Sequence, residues 1–195
     1  MQYLFVLGAR DPEMVIIEGL VRSAGHKVAY AMAGERRVYA GNAYAAERTS
    51  ARPGQHRGPV VWVECALADR AVPRDLVVDH HHAGDPGFSM PAERFWEGAS
   101  LGQVCTLLGI EPTRELRLAA AADHCLNAAY LGRCPGIEVQ EMRAWRLGPP
   151  APPGRRSPPS YWPNGSRPAS RSCGRSAGCV SAASNSPMRW TGRSR

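Results

Sequence analysis

The chain has 195 residues and a formal net charge of +7, which is length enough for one hydrophobic core and an appendage. The charge is unevenly placed. Residues 1–146 hold 16 Lys+Arg and all 17 Asp+Glu, whereas residues 147–195 hold 8 Arg and no acid, so a broad basic face for nucleic acid is excluded on the body.

The opening stretch MQYLFVLGARDPE carries no basic leader and only a short apolar run before Gly8. Neither a signal peptide nor a membrane span is expected, and the setting is read as cytoplasmic. The six cysteines form no CxxC pair, which predicts buried reduced thiols rather than a disulfide framework.

Gln2–Leu7 is predicted as a buried strand. Asp11 then suits a helix N-cap and Pro12 the first helical position. Val15, Ile16, Gly19, Leu20 and Ser23 share one face of that helix, and Gly25 ends it. Lys27–Met32 reads as a second strand, which makes the start a βαβ unit. Residues 34–58 are weakly patterned, with a short strand expected over Arg36–Ala40 and a loop over Arg48–Gly58. Val60–Ala66 and, after a turn at Pro73, Leu76–Asp79 are continuous apolar runs of the kind that parallel strands covered on both faces require.

Gly84–Pro91 is a Gly/Pro loop. Ser100 is expected to cap a helix with Leu101, Val104, Cys105 and Leu108 on one face and Gly109 at its end. Thr113 is expected to cap a longer helix, Arg114–Leu131. The predicted body is an α/β domain over 1–146, with a mainly parallel sheet flanked by helices.

Composition breaks near Leu147. Beyond it Pro, Gly, Ser and Arg supply 9, 6, 10 and 8 of 49 residues, a mixture too poor in apolar groups to offset its ordering entropy, so a disordered C-terminal tail over 147–195 is expected. One Lys stands against 23 Arg, the mark of a GC-rich coding sequence. Such a sequence read out of frame gives Arg, Pro, Ser, Gly, Cys and Trp without acids. A frameshifted end and a native basic tail that touches nucleic acid both stay open.

The polar residues of interest fall where α/β folds place ligand sites, at the carboxyl ends of strands. Asp11 and Glu13 follow the first strand. Glu64 ends VVWVEC, Asp79, His80 and His81 follow LVV, and Asp123-His124 lies in a later helix. Carboxylates with imidazole suit Mn²⁺, Mg²⁺ or Zn²⁺. Two such ions about 4 Å apart can hold a phosphate and lower the pKa of a bridging water.

These stretches, in order, resemble the DHH phosphoesterase superfamily, which includes single-strand exonucleases, oligoribonucleases and inorganic or exopolyphosphatases. Leu4–Leu7, Arg10-Asp11-Pro12-Glu13 and Gly25-His26 are similar to its first motif of strand, His-x-x-Pro-Asp-x-Asp and helix. VVWVEC offers Glu64 for the second motif. Val77-Val78-Asp79-His80-His81 matches the third, followed by Ala99-Ser100-Leu101-Gly102. AAAADHC offers Asp123 for the fourth. Leu7 stands where the family has its first His, two acids are Glu in place of Asp, and the usual C-terminal substrate-binding domain has no counterpart.

The resemblance implies Asp79 as a bridging metal ligand, with Asp11, Glu13, Glu64, His80 and Asp123 as further ligands. It implies Asp79, His80 and His81 as the catalytic set, with His81 positioning phosphate or assisting the leaving group. It also implies Mn²⁺ or Mg²⁺, as two ions in a complete site. The expected function is divalent-metal-dependent hydrolysis of a phosphodiester or phosphoanhydride by a metal-bridged water, acting on a phosphorylated small molecule or short oligonucleotide, with no membrane partner. Two alternatives remain. One is a catalytically inactive DHH-like domain that binds a nucleotide or protein partner. The other is a nucleic-acid-associated protein acting through its Arg-rich tail.

Several of these residues have plainer uses. Asp11 serves as an N-cap and Glu13 as a first-turn acid. Glu64 suits a buried ion pair with an Arg. His82 is expected to face solvent. Asp123 is expected on a buried face among alanines, and His124 either to support the site or to pack. Arg94, Arg114 and Arg117 suit phosphate contacts or solvated helix charges. Trp62, Phe95 and Trp96 are expected in the core.

Overall fold

The computed structural model describes residues 1–68 and 76–148. The turn at Pro73 and nearly all of the tail from 147 onward therefore lie outside the described residues.

β1 (Leu4–Leu7) leads into α1 (Pro12–Ser23), which returns to β2 (Lys27–Ala33). The short strands β3 (Arg36–Arg37) and β4 (Arg48–Thr49) both pair antiparallel with β2. β5 (Val60–Val63) and β6 (Leu76–Val78) complete a sheet of order β3-β2-β1-β5-β6. The β2-β1-β5-β6 part is parallel throughout, with Leu7 opposite both Tyr30 and Val63, and Val63 opposite Val78. The architecture is α/β, a mixed and mostly parallel sheet with helices packed on it.

Strand alternation divides the core. Phe5, Leu7, Val61 and Val63 face the helices, among Met14, Ile17, Leu101, Val104 and Ala120. Leu4, Val6, Val60 and Trp62 face the other way, under Val38, Ala43 and Ala46. Both faces of β1 and β5 are thus covered, which is why their sequences are apolar without a break.

The helices on the first face are α2 (Phe95–Gly98), α3 (Ser100–Leu108), α4 (Arg114–His124), α5 (Leu126–Tyr130) and α6 (Val139–Leu147), besides α1. None of the described helices is long and apolar enough to cross a membrane. Cys65, Cys105, Cys125 and Cys134 are free thiols.

Four local expectations change. The buried face of α1 is Glu13, Met14, Ile17 and Val21, while Val15 is exposed. Ser100 is the first residue of α3 rather than its cap, because Ala99 takes the extended cap conformation. The long helix from Arg114 breaks at Cys125 (φ −149°, ψ 44°), which leaves Asp123 and His124 on the last turn of α4. The loop from Arg48 includes β4 and a 3₁₀ turn, Pro53–Gln55. Asp11 and Thr113 do cap their helices, accepting from Met14 N at 2.7 Å and Leu116 N at 3.3 Å, and Gly109 ends α3 at φ +65°.

β1 has β2 on one side and β5 on the other. The direction of strand addition reverses there, and in open parallel sheets this opens a crevice beyond the carboxyl ends. Gly8, Glu64 and Asp79 are the residues next after β1, β5 and β6.

Candidate metal centre

Glu64 leaves β5 with φ +49°, in the left-handed region that costs a non-glycine residue roughly 1–2 kcal/mol. Its N–H still donates to Val78 O at 3.0 Å, so the turn is anchored to β6 while the side chain departs from the strand's alternation. The turn is possible because residue 8 has no side chain. A Cβ on Gly8 would lie 2.2 Å from Glu64 O.

Glu13 occupies the first turn of α1 and is 3% exposed. Its Oε1 accepts from Leu101 N at 2.9 Å, satisfying one of the amides that the start of α3 leaves without an intrahelical partner. Its Oε2 is buried and, among the described residues, has no hydrogen-bond partner. The same holds for Glu64 Oε1 and Ser100 Oγ. Burial, and then the nearby Asp123 and Glu64 charges, push the Glu13 carboxyl well above its ordinary value. Burial, then Asp123 and Asp11, push Glu64 up to about 8. Among the described residues no Arg pairs with Glu64, as the plainer reading of a buried ion pair would require.

Ligand atoms of Glu13, Glu64 and Asp123 lie within 4.8 Å of one another, and so do those of Glu64, His80 and His81. Glu64 is common to both groups. Asp123 reaches them from the end of α4 and is exposed, its side chain at 30%, so it forms the rim of the site instead of the buried face expected for it.

The histidines are wired so that one nitrogen of His80 is left for the site. His124 Nε2 lies 3.0 Å from Met90 O, and a carbonyl only accepts, so Nε2 carries the proton. The other nitrogen of a neutral His124 is then an acceptor, and His80 Nδ1 stands 2.9 Å from it. His80 therefore donates through Nδ1, and its Nε2 presents a lone pair. That Nε2 stands 3.6 Å from Glu64 Oε1 and 3.4 Å from Asp123 Oδ2. Burial lowers the His80 pKa, which favours this neutral ring. A lone pair facing carboxylates, two of whose neighbouring oxygens are unpartnered, is a donor set that lacks a positive partner. The set fits a divalent cation of the Mn²⁺, Mg²⁺ or Zn²⁺ type.

Asp79 is buried beside this cluster and belongs to neither group. Tyr44 Oη stands 2.9 Å from both carboxylate oxygens. Oδ1 also accepts from His80 N at 2.7 Å, His81 N at 3.1 Å and His81 Nδ1 at 2.9 Å. Burial alone would raise the Asp79 pKa, but the His81 and Tyr44 bonds and the two amides hold it below its ordinary value. The same bond to Asp79 raises His81 to about 9. Gln103 fixes the Asp79 backbone from α3, donating to Asp79 O at 3.1 Å and to Gly98 O at 2.9 Å.

Asp11 also falls in neither group. Its carboxylate caps α1, and burial raises its pKa. Leu7, where the resemblance noted in the sequence would call for a His, is fully buried in the core between sheet and helices. His82 is exposed, with its N–H bonded to Asp85. Arg114 pairs with Glu141, Arg117 lies over the Phe95 ring at 5.2 Å, and Arg94 is exposed. Trp62 and Phe95 are core residues, and Trp96 packs against the core partly buried.

Tyr44, Gln103 and Arg37 were not legible in the sequence as parts of this region. Arg37 Nε donates to Gly8 O at 2.7 Å while its guanidinium lies over Tyr30 at 4.5 Å, closing the rim by α1. Tyr44 sits in the weakly patterned stretch, 35 residues from Asp79. Compared with known protein families, curated proteins and solved structures, the chain matches none.

Proposed function

We propose that this chain is a DHH-like divalent-metal-dependent phosphoesterase that hydrolyses a phosphodiester or phosphoanhydride. The observation that carries the reading is the pair of buried, unpartnered carboxylate oxygens, Glu13 Oε2 and Glu64 Oε1, beside the His80 lone pair and Asp123. Glu13, Glu64, Asp123 and His80 would hold the ion. Bound there, Mn²⁺ or Mg²⁺ would polarise a phosphoryl oxygen and lower the pKa of an attacking water.

The chain's own groups supply the rest. Glu13 and Glu64 would hold the cation through their ionised carboxylates. His124 holds the His80 ring from behind through Nδ1. His81, which the Asp79 bond keeps protonated at neutral pH, stands within 4.8 Å of the Glu64 and His80 ligand atoms. Its Nε2–H would donate to a phosphate oxygen and then pass a proton to the leaving oxygen.

A second reading is favoured by Leu7. A buried leucine in place of the family's first His removes one ligand, and a domain that binds a nucleotide without hydrolysing it would tolerate the loss. One assay separates the two. The full chain, stripped with a chelator and reloaded with Mn²⁺, is given bis(p-nitrophenyl) phosphate and pyrophosphate. Turnover of either, lost at least 100-fold in Glu64→Gln, is the expected result. A folded, ion-loaded chain that turns over neither substrate leaves the binding reading.

A further inference from the structure

We propose that Cys125 and Cys134 form a reversible disulfide when a small-molecule disulfide such as oxidised glutathione is supplied, and that the bridge staples the break between α4 and α5, next in the chain to Asp123 and His124. The pair takes no part in the donor set of the metal centre, and its closure needs no ion.

The two Sγ atoms stand 3.0 Å apart, in residues nine apart in the chain. Both thiols are free. A closing movement of about 1 Å brings them to bonding distance. Cys65 and Cys105 are free as well, but among the described residues neither has a second sulfur beside it, so they serve as internal controls.

The backbone holds the pair from both sides. Cys125 is the residue at which α4 breaks. Its N–H donates to Ala121 O at 3.2 Å and its carbonyl accepts from Ala129 N at 3.0 Å, so it closes one helix and opens the next. Cys134 lies in the turn after α5, which Gly132 enters with φ +70°. Arg133 N donates to Ala128 O at 2.9 Å, and Ile137 N to Cys134 O at 3.1 Å. Arg133 and Pro135 on either side are exposed, yet Cys134 is buried in the core cluster with Ile137 and Met142. Cys125 is half-buried, so it is the sulfur an oxidant meets first. The entropy of bringing these sulfurs together is already lost in folding, which favours the bridge in the folded chain over the unfolded one.

The chemistry balances with one co-reactant. The Cys125 sulfur attacks oxidised glutathione, the first glutathione thiol leaves, and a mixed disulfide forms. The Cys134 sulfur then attacks the Cys125 sulfur and displaces the second glutathione thiol. Two protein thiols are oxidised, one glutathione disulfide is reduced to two thiols, and the two protein thiol protons end on them. Burial raises both cysteine thiols above their ordinary range, which slows the first exchange. The end point is set by the reduction potential of the pair against that of glutathione.

The test equilibrates the full chain with glutathione buffers of graded oxidised-to-reduced ratio, once folded and once in concentrated urea. Each sample is quenched in acid, unfolded, alkylated and digested with trypsin without reduction. Cleavage after Arg133 puts the two cysteines on separate peptides, Leu118–Arg133 and Cys134–Arg143, so the bridge is read by mass as these two peptides joined. The expected midpoint lies at least tenfold lower in oxidised glutathione for the folded chain, since closing so short a loop favours the folded state by about 100-fold. Cys65 and Cys105 are expected to be recovered alkylated. Bridging should raise Tm by about 5–10 °C, reversibly with dithiothreitol, and Cys134→Ser should show no such rise. Recovery of the two peptides from the folded chain as free thiols, as separate glutathione adducts or bridged to other cysteines overturns the proposal. So does an equal midpoint in urea, or a Tm that bridging leaves unchanged or lowers. The peptide measurement uses the wild type alone, so it stands even if Cys134→Ser does not fold.

Discussion

His80 and His124 stand Nδ1 to Nδ1 at 2.9 Å, and the rear ring sets the protonation of the front one. Because His124 spends its Nε2 proton on Met90 O, its Nδ1 must accept, and His80 turns an unprotonated Nε2 toward Glu64 and Asp123. Replacing His124 by Phe keeps a ring and removes the acceptor. Such losses behind a metal-binding histidine cost about 10–100-fold in affinity, and Mn²⁺ calorimetry on His124→Phe is expected to show that loss with little change in thermal stability.

Gly98 faces that same ring. A Cβ there would lie 2.6 Å from both Cε1 and Nε2 of His124, closer than packed atoms approach. Gly98→Ala must therefore push His124 off Met90 and off His80. The expected result is a fall in Mn²⁺ affinity at least as large as that of His124→Phe, measured in the same titration.

Ion binding should depend on pH. Glu64, with its carboxyl pushed up to about 8, is protonated at neutral pH and must lose that proton to take a cation, and burial raises Glu13 in the same direction. Affinity should rise by about tenfold per pH unit for each proton displaced, flattening above pH 8. Titrations between pH 6 and 8.5, in buffers of different ionisation enthalpy, read the proton count directly.

The metal-free chain should show the opposite trend in stability. A carboxyl whose folded pKa lies above its unfolded value stabilises fully below the unfolded value, 4.5 for Glu64, and loses that contribution as pH rises through about 8. The raised His81, about 9 against 6.5 unfolded, acts in the same direction over the upper part of the range. Asp79 is the exception, since its lowered pKa gives stability that is lost only as pH falls below 3.8 through the folded value. In a chelator, Tm is expected to fall from pH 5 to pH 8. Glu64→Gln should flatten the fall and raise Tm at pH 8, while abolishing ion binding. A steeper fall in the variant would show that Glu64 is not the group responsible.

Gly8→Ala should damage fold and site together. The added Cβ would meet the Glu64 carbonyl at 2.2 Å, a backbone atom of the residue that follows β5, anchored by its N–H on Val78 O. Overpacking of this kind costs typically 1–3 kcal/mol. An unfolding free energy in urea lowered by that amount, with Mn²⁺ affinity lost in whatever fraction stays folded, is the expected outcome.

Much of the frame was legible before any coordinates. The apolar runs at Leu4–Leu7 and Val60–Val63 mark strands buried on both faces, because such strands are apolar without alternation, whereas Leu76–Val78 reads the same way but is the edge strand, with Leu76 exposed and only Val78 buried. Asp11-Pro12, Thr113 and Gly109 mark helix ends through local hydrogen bonding and backbone freedom. The face of α1 was misread because Glu13 is buried with the apolar residues, and hydrophobic periodicity counts an acid as exposed. The break at Cys125 was missed because alanine-rich sequence favours helix on both sides of it.

At the site, residue types and order along the chain were enough to collect Glu13, Glu64, His80, His81 and Asp123. They lie at strand ends or on a helix turn that the α/β topology brings to one crevice. What they do to one another depended on contacts far apart in sequence. The tertiary structure alone set Tyr44 against Asp79 across 35 residues, His124 behind His80 across 44, and the amide of Leu101 on Glu13 across 88. The sequence by itself determined which groups end the strands, since burial pattern and capping are local. Which oxygens are left without a partner, and which collect several donors, was decided only by packing, since a hydrogen bond between distant segments exists only when the whole fold holds both ends at 3 Å.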